Sequence, residues 1–362
     1  MMKLARVALI AGQLLLVLSC SRAPSIDLII KNGLIIDGTG SPGYAADIAI
    51  REGRIVEIGD LSTETAIRTL DASGSVVTPG FVDMMGGSSL PLMRDPVSAR
   101  SKLHQGITTM MSGEGQTVAP RDPDTAQPDS PGPTWTTFSE YFVLLAEKGT
   151  PLNVVHNVGA ARVREMILGD KDLEPSADQL GRMKDLVEQA MMDGAVGLSS
   201  ALIYPPGAYA KTQELIELCR AAAGHGGVYF THVRNEGGRL IEALNEAIHI
   251  GQEAGIPVHI YHLKAAGQDN WPLMAEAIDL IDKARASGLQ ITADIYPYVR
   301  NGIGLEEAIR KLTSLPASIL RLKERGVVKT GMAADLLVFD PARIQDRATF
   351  SAPLRYSEGI DF

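Results

Sequence analysis

Two histidines stand at equivalent places in two similar runs, Gly227-Val-Tyr-Phe-Thr-His232 and Pro257-Val-His-Ile-Tyr-His262. If each run is a strand, its alternation puts Val228, Phe230 and His232 on one face, and likewise Val258, Ile260 and His262. Each strand then ends in an inward imidazole, one strand-and-helix unit apart, where the pair can share an ion. Imidazole suits zinc, and zinc with one open position activates water near neutral pH. A lone histidine at a strand end is more often structural, so the pairing carries the reading. A third ligand is needed, and Glu114 in Ser112-Gly-Glu-Gly115 is the candidate. Its flanking glycines let the backbone come close to a site; a solvated loop acid is the alternative. His259 falls on the other face of its strand and is expected to pack against helices. His104, His156, His225 and His249 show no such pattern and read as structural or surface residues.

Lys264 lies two residues past His262 and is expected higher on the same rim, where a cation could hold a substrate carboxylate. A plain surface lysine is the other reading. Tyr204, before Pro205-Pro206, and Tyr296, before Pro297, follow strands in the same way. Their prolines make rigid loops that can aim a hydroxyl into a cleft, although either ring could simply pack in a core.

The elements that must position these groups alternate. Apolar runs begin near Phe81, Ile107, Asn153, Ala195, Val228, Val258 and Ile291, with helical stretches such as 212–224 and 240–251 between them. That alternation predicts a parallel sheet covered by helices. Seven units without a GxGxxG opening favour a (β/α) barrel over a doubly wound sheet. Residues 27–79 read instead as a small β module with a turn at Glu52-Gly53, and residues 331–340 return to strand-like pattern. The last strand is therefore expected to rejoin that module, giving a β part at 27–79, a barrel at 80–325 and a second β part at 326–362. The proline-bearing stretch 117–138 reads as a long loop, either a lid or an inert insertion.

Composition narrows the partners. The 362 residues are 45% hydrophobic and 21% charged, with 34 Lys+Arg against 43 Asp+Glu and a net charge of −9. There is no basic block, which argues against nucleic acid and an anionic membrane surface as partners and leaves a small-molecule substrate as the expected one. At the N-terminus, Lys3 and Arg6 precede an apolar run from Val7 to Leu18, and Val17-Leu-Ser-Cys20 resembles a lipobox. Residues 1–20 thus read as an export signal, too short to span a bilayer. The expected location is the periplasm or a bacterial membrane, with a lipid anchor through Cys20. Cys219 sits on a helical stripe with Leu215, Leu218 and Ala222 and reads as core.

Several segments together resemble the N-acyl-D-amino-acid deacylase (D-aminoacylase) family of the amidohydrolase superfamily. They are Pro79-Gly-Phe-Val-Asp83, Gly194-Ala-Val-Gly-Leu-Ser199, Leu202-Ile-Tyr-Pro-Pro-Gly207, Thr231-His-Val-Arg-Asn-Glu236, His262-Leu-Lys-Ala-Ala-Gly267, Asp294-Ile-Tyr-Pro-Tyr298 and Ala333-Ala-Asp-Leu-Leu-Val-Phe-Asp340. The resemblance implies a TIM-like barrel joined to a small β-sandwich, a zinc ion, and hydrolysis of N-acyl-D-amino acids. It also implies that His232 and His262 bind the metal, and that Lys264, Tyr204 and Tyr296 hold the substrate carboxylate.

Three departures qualify this. The His-x-His that ends the first strand in most relatives is replaced, with Met85 and Gly87 at its two positions, so any metal centre is expected to hold one ion. Glu114 stands where relatives carry a ligand cysteine, which admits metals other than zinc. Finally, Tyr298-Val-Arg-Asn-Gly-Ile-Gly304 runs straight into the helical stretch 305–312, so the eighth strand and its proton-shuttling Asp are expected to be missing. Asp294 is the one weak substitute. A catalytically inactive, deletion-derived relative is accordingly the alternative reading.

Overall fold

In the computed structural model, which describes residues 26–122, 134–295, 304–349, 352 and 355–360, the first Ile- and Val-rich runs pair into a sheet. Its strands are β1 (Ile26–Ile35), β2 (Tyr44–Arg51), β3 (Arg54–Gly59), β4 (Ala66–Asp71) and β5 (Val76–Pro79). β1 runs antiparallel to β2 and parallel to both β4 and β5, which follow one another along its other edge. Ile30, Ile35, Ile48, Ile55 and Val77 are buried together as its core.

The barrel strands follow in chain order. They are β6 (Phe81–Asp83), β7 (Ile107–Ser112), β8 (Asn153–His156), β9 (Val158–Gly159), β10 (Gly197–Ala201), β11 (Val228–His232), β12 (Val258–Ile260) and β13 (Ile291–Ala293). All their pairings are parallel, in the orders β6-β7-β8 and β9-β10-β11-β12-β13. Only Asn157 separates β8 from β9, so the two form one stave, and the described residues supply seven staves. The stretch 296–303, where the eighth strand was expected to be missing, lies outside the described residues, as does Tyr296. So do residues 1–25 with Cys20, and much of the 117–138 loop.

β14 (Leu336–Phe339) then pairs antiparallel with β5, returning the chain to the first sheet. Asp335, just before it, ties sheet to barrel. Its carbonyl accepts the Gly80 N–H at 2.7 Å. Its carboxylate accepts from Asn153 Nδ2 at 3.0 Å and from the Arg325 guanidinium.

Helix starts follow local chemistry. Thr137 and Glu140 form a capping box at the head of helix Phe138–Lys148, and Ser176 with Gln179 does the same for Ala177–Met192. Between helices and staves lies the largest apolar cluster, containing Leu198, Tyr229, Val258 and Ile260, with Leu215, Leu218, Cys219 and Ala222 of one helix stripe. A smaller cluster inside the barrel contains Val82, Met111, Val155, Val228, Phe230, Tyr261 and Leu320. No helix among the described residues is long and apolar enough to cross a membrane.

His156, at the end of β8, is fully buried among the rings of Phe138, Tyr141 and Phe142. Its Nε2 lies 2.8 Å from Ser89 Oγ, while its Nδ1 finds no hydrogen-bond partner among the described residues. Burial holds its pKa down to about 3, against an ordinary 6.5. Above pH 6.5 the ring is neutral folded or unfolded and contributes nothing to pH dependence. Below that, the unfolded chain takes up a proton that the folded chain refuses until pH falls to about 3. Stability should therefore fall through that window by about 1.4 kcal/mol per pH unit from this group. Urea midpoints measured across the window should fall less steeply in a His156→Gln variant; equal slopes in the two proteins would refute the assignment.

Candidate metal centre

The inward residues of the sixth stave are not those that simple alternation selects. Val258 and Ile260 join the cluster beneath the helices, whereas Tyr261 joins the barrel interior. His259 also turns inward, against expectation: its ring meets Phe230 at 5.7 Å and Tyr261 at 5.8 Å, and its nitrogens bond Thr292 Oγ1 (2.8 Å) and Asp294 Oδ2 (2.9 Å). His262 reaches the mouth another way. The strand ends at Ile260, and His262 adopts a left-handed φ of +37° that swings its ring inward. Such a φ is uncommon for a non-glycine residue, although histidine is among the more tolerant types. Asp294 Oδ1 accepts the His262 backbone N–H and so holds that conformation.

His232, by contrast, does end its strand inward, on the face that carries Val228 and Phe230. Glu114 follows β7 on a tight loop, between Gly113 at φ +103° and Gly115 at φ +72°. A Cβ on Gly115 would stand 2.7 Å from the Ala201 nitrogen, so only glycine lets this loop lie against β10. Two buried side chains fix it further. Asn157 Nδ2 donates to the Gly113 carbonyl at 3.1 Å, and Ser199 Oγ accepts the Gly115 N–H at 3.0 Å while donating to Asn157 Oδ1 at 2.6 Å.

The outcome is a convergence of three candidate ligands. Glu114 Oε1 lies 2.7 Å from His232 Nδ1 and 3.2 Å from His262 Nε2. One ligand atom from each residue falls within 4.8 Å of the others. Both imidazoles are buried. Burial alone would push the Glu114 carboxyl up, but bonds and charge from the two imidazoles bring it down to about 2. Burial would lower His262, yet hydrogen bonding to Glu114 and Glu236 raises it to about 9. The donor set, two imidazole nitrogens and one carboxylate oxygen from three staves, fits one divalent ion with a position left open.

Glu236 is a residue the sequence reading gave no role. Its Oε1 accepts from Lys264 Nζ at 2.5 Å and lies 3.0 Å from His262 Nδ1. Burial opposes its ionisation, but His262 and Lys264 outweigh this and keep its carboxyl below the ordinary range. Its only signal was its place inside the matched segment 231–236. Arg234 in the same segment clamps the neighbouring loop, donating to the carbonyls of Ala208 (3.1 Å) and Ala210 (2.9 Å) and pairing with Glu246 at 2.8 Å. That loop carries Tyr204, which is half exposed and meets the His232 ring edge-on at 5.5 Å. Lys264 Nζ also lies 3.0 Å from His262 Nδ1, so it stands beside the centre. Asp294 has both oxygens engaged, by His262 and His259.

On the first stave, Asp83 pairs with Lys102 at 2.7 Å and accepts the Met85 N–H at 3.0 Å. Met84 and Met85 pack against the interior apolar cluster. No second group of three or more His, Cys, Asp or Glu close enough to hold an ion occurs among the described residues. Stripped protein should therefore take up about one equivalent of zinc, a single cation being what three such ligands serve. Alanine at Glu114, His232 or His262 should weaken that uptake. Equilibrium dialysis with elemental analysis would show it, and a stoichiometry of two would contradict it.

No protein-family model matches the chain. It is 36% identical over 301 residues to a D-aminoacylase of Alcaligenes xylosoxydans xylosoxydans, covering 80% of this chain and 61% of that protein. The chain thus spans about three fifths of that relative's length. It is 29% identical to an N-acyl-D-glutamate deacylase of the same organism, over 450 aligned positions covering 93% of this chain and 92% of the relative. Those positions outnumber the 362 residues here, so the relative carries segments opposite gaps in this chain. In structure, the chain is similar to an N-acyl-D-glutamate deacylase from Bordetella bronchiseptica, solved with zinc and a phosphonate mimic of the reaction's tetrahedral intermediate. The TM-score is 0.86 at 27% identity, over 93% of this chain and 94% of that one.

Proposed function

The chain is a homologue of the D-aminoacylases and N-acyl-D-amino-acid deacylases, and from that premise we propose that it hydrolyses the linear amide bond of N-acyl-D-amino acids. The products would be a D-amino acid and a carboxylate. The observation that carries this reading is the convergence of Glu114, His232 and His262 within 4.8 Å at the mouth of the barrel.

These three residues would hold one divalent ion, with zinc the first candidate. When bound, such an ion polarises an acyl carbonyl and lowers the pKa of water towards neutrality. Lys264, already drawn to the centre by Glu236, supplies a cation for the substrate carboxylate. Tyr204, on the loop clamped by Arg234 and edge-on to the His232 ring, is the second candidate for holding that carboxylate, and Tyr296 is the third. Asp294 is committed through both oxygens to His262 and His259, which supports a positioning role over proton transfer.

A second reading, an inactive relative, is favoured by one observation: the alignment with the deacylase is longer than this chain. If the missing segment includes the proton-shuttling group, turnover would fall about 10²- to 10⁴-fold. Assays of N-acetyl-D-methionine and its L isomer, with and without added zinc or manganese, separate the two. Metal-dependent release of D-methionine alone is expected; metal-loaded protein with no turnover of either isomer would sustain the second reading. For location, the N-terminal pattern supports export with a lipid anchor on Cys20. In a bacterial host, Cys20→Ser should abolish incorporation of labelled palmitate, and an unlabelled parent protein would rule the anchor out.

A further inference from the structure

Glu114 faces the inner nitrogens of the two imidazoles, His232 Nδ1 and His262 Nε2. The outer nitrogens face a second carboxylate. Glu236 Oε1 lies 3.0 Å from His262 Nδ1 and 3.7 Å from His232 Nε2. The latter nitrogen is buried, with no hydrogen-bond partner among the described residues. The same oxygen accepts from Lys264 Nζ at 2.5 Å. Glu236 is itself largely withdrawn from solvent, its side chain 12% exposed. It follows His232 by four residues on the loop leaving β11, so a single loop carries one ligand and the group behind both.

An imidazole that presents one nitrogen to an ion must carry its proton on the other, and a carboxylate behind it fixes that tautomer and the ring plane. We propose that Glu236 is the shared positioning residue of the centre. It orients His262 directly, stands behind His232, and holds the Lys264 ammonium beside them. One oxygen thereby links the groups that would bind the ion to the group that would bind the substrate carboxylate. This rests on the reading under Proposed function.

Zinc affinity tests it without any assay of turnover. Stripped parent protein, Glu236→Gln and Glu236→Leu are titrated with zinc against a chromophoric chelator, and their cobalt-loaded visible spectra are compared. Partners behind metal-binding histidines are typically worth about 10- to 100-fold in affinity. The Leu variant should lose about 100-fold. The Gln variant, which keeps an acceptor oxygen without the charge, should lose about 10-fold. Both should shift the cobalt bands. If the Leu variant fails to fold, the Gln variant decides alone. Parent-like affinity and spectrum in the Gln variant would overturn the role of Glu236 and leave the hydrolase reading standing. Failure of the parent itself to bind zinc would overturn both.

Discussion

A carboxylate withdrawn from water needs positive charge within reach, and the barrel mouth is organised around that requirement. Glu114 brings its negative oxygen between two buried imidazoles. Against burial, hydrogen bonds and charge from the imidazole protons bring Glu114 down to about 2, and bonding to Glu114 and Glu236 raises His262 to about 9. An ion would replace those protons with one compact charge. The surrounding bonds keep the donors converging: Asn157 and Ser199 fix the Glu114 loop, Asp294 fixes the His262 backbone, and Glu236 lies 3.0 Å from the outer nitrogen of His262.

The sixth stave shows how much such convergence asks of the backbone. A continuous strand with His262 in register would have turned His259 toward the helices. Instead the interior takes His259 and Tyr261, and the chain leaves strand geometry before His262. The left-handed φ there is held by the carboxylate of a residue on the next stave, so two staves share one strained position. The mouth is thus a set of mutual constraints among strand ends.

On the first stave the physics runs the other way. The two positions where relatives are expected to carry histidines hold Met85 and Gly87, and Met85, with Met84 beside it, packs against the interior cluster of Val82, Met111 and Phe230. Among the described residues there is one group of close ligands, assembled from the second, fifth and sixth staves.

The sequence by itself determined the alternation of strands and helices, the return of the last strand to the first sheet, and the identity of three chemically suited side chains. These depend on spacing and on which atoms a side chain carries, and both are local. Cys219 was legible for the same reason, because a helical stripe of Leu215, Leu218 and Ala222 surrounds it. Tertiary structure alone decided the register of the sixth stave, the partners of Asp294, and the presence of Glu236 behind both imidazoles. Alternation predicts a face only while the chain stays extended, and where it leaves the strand is set by a hydrogen bond from another stave. Likewise, Glu236 and Lys264 are 28 residues apart in the chain, and only the curvature of the barrel sets them within one hydrogen bond.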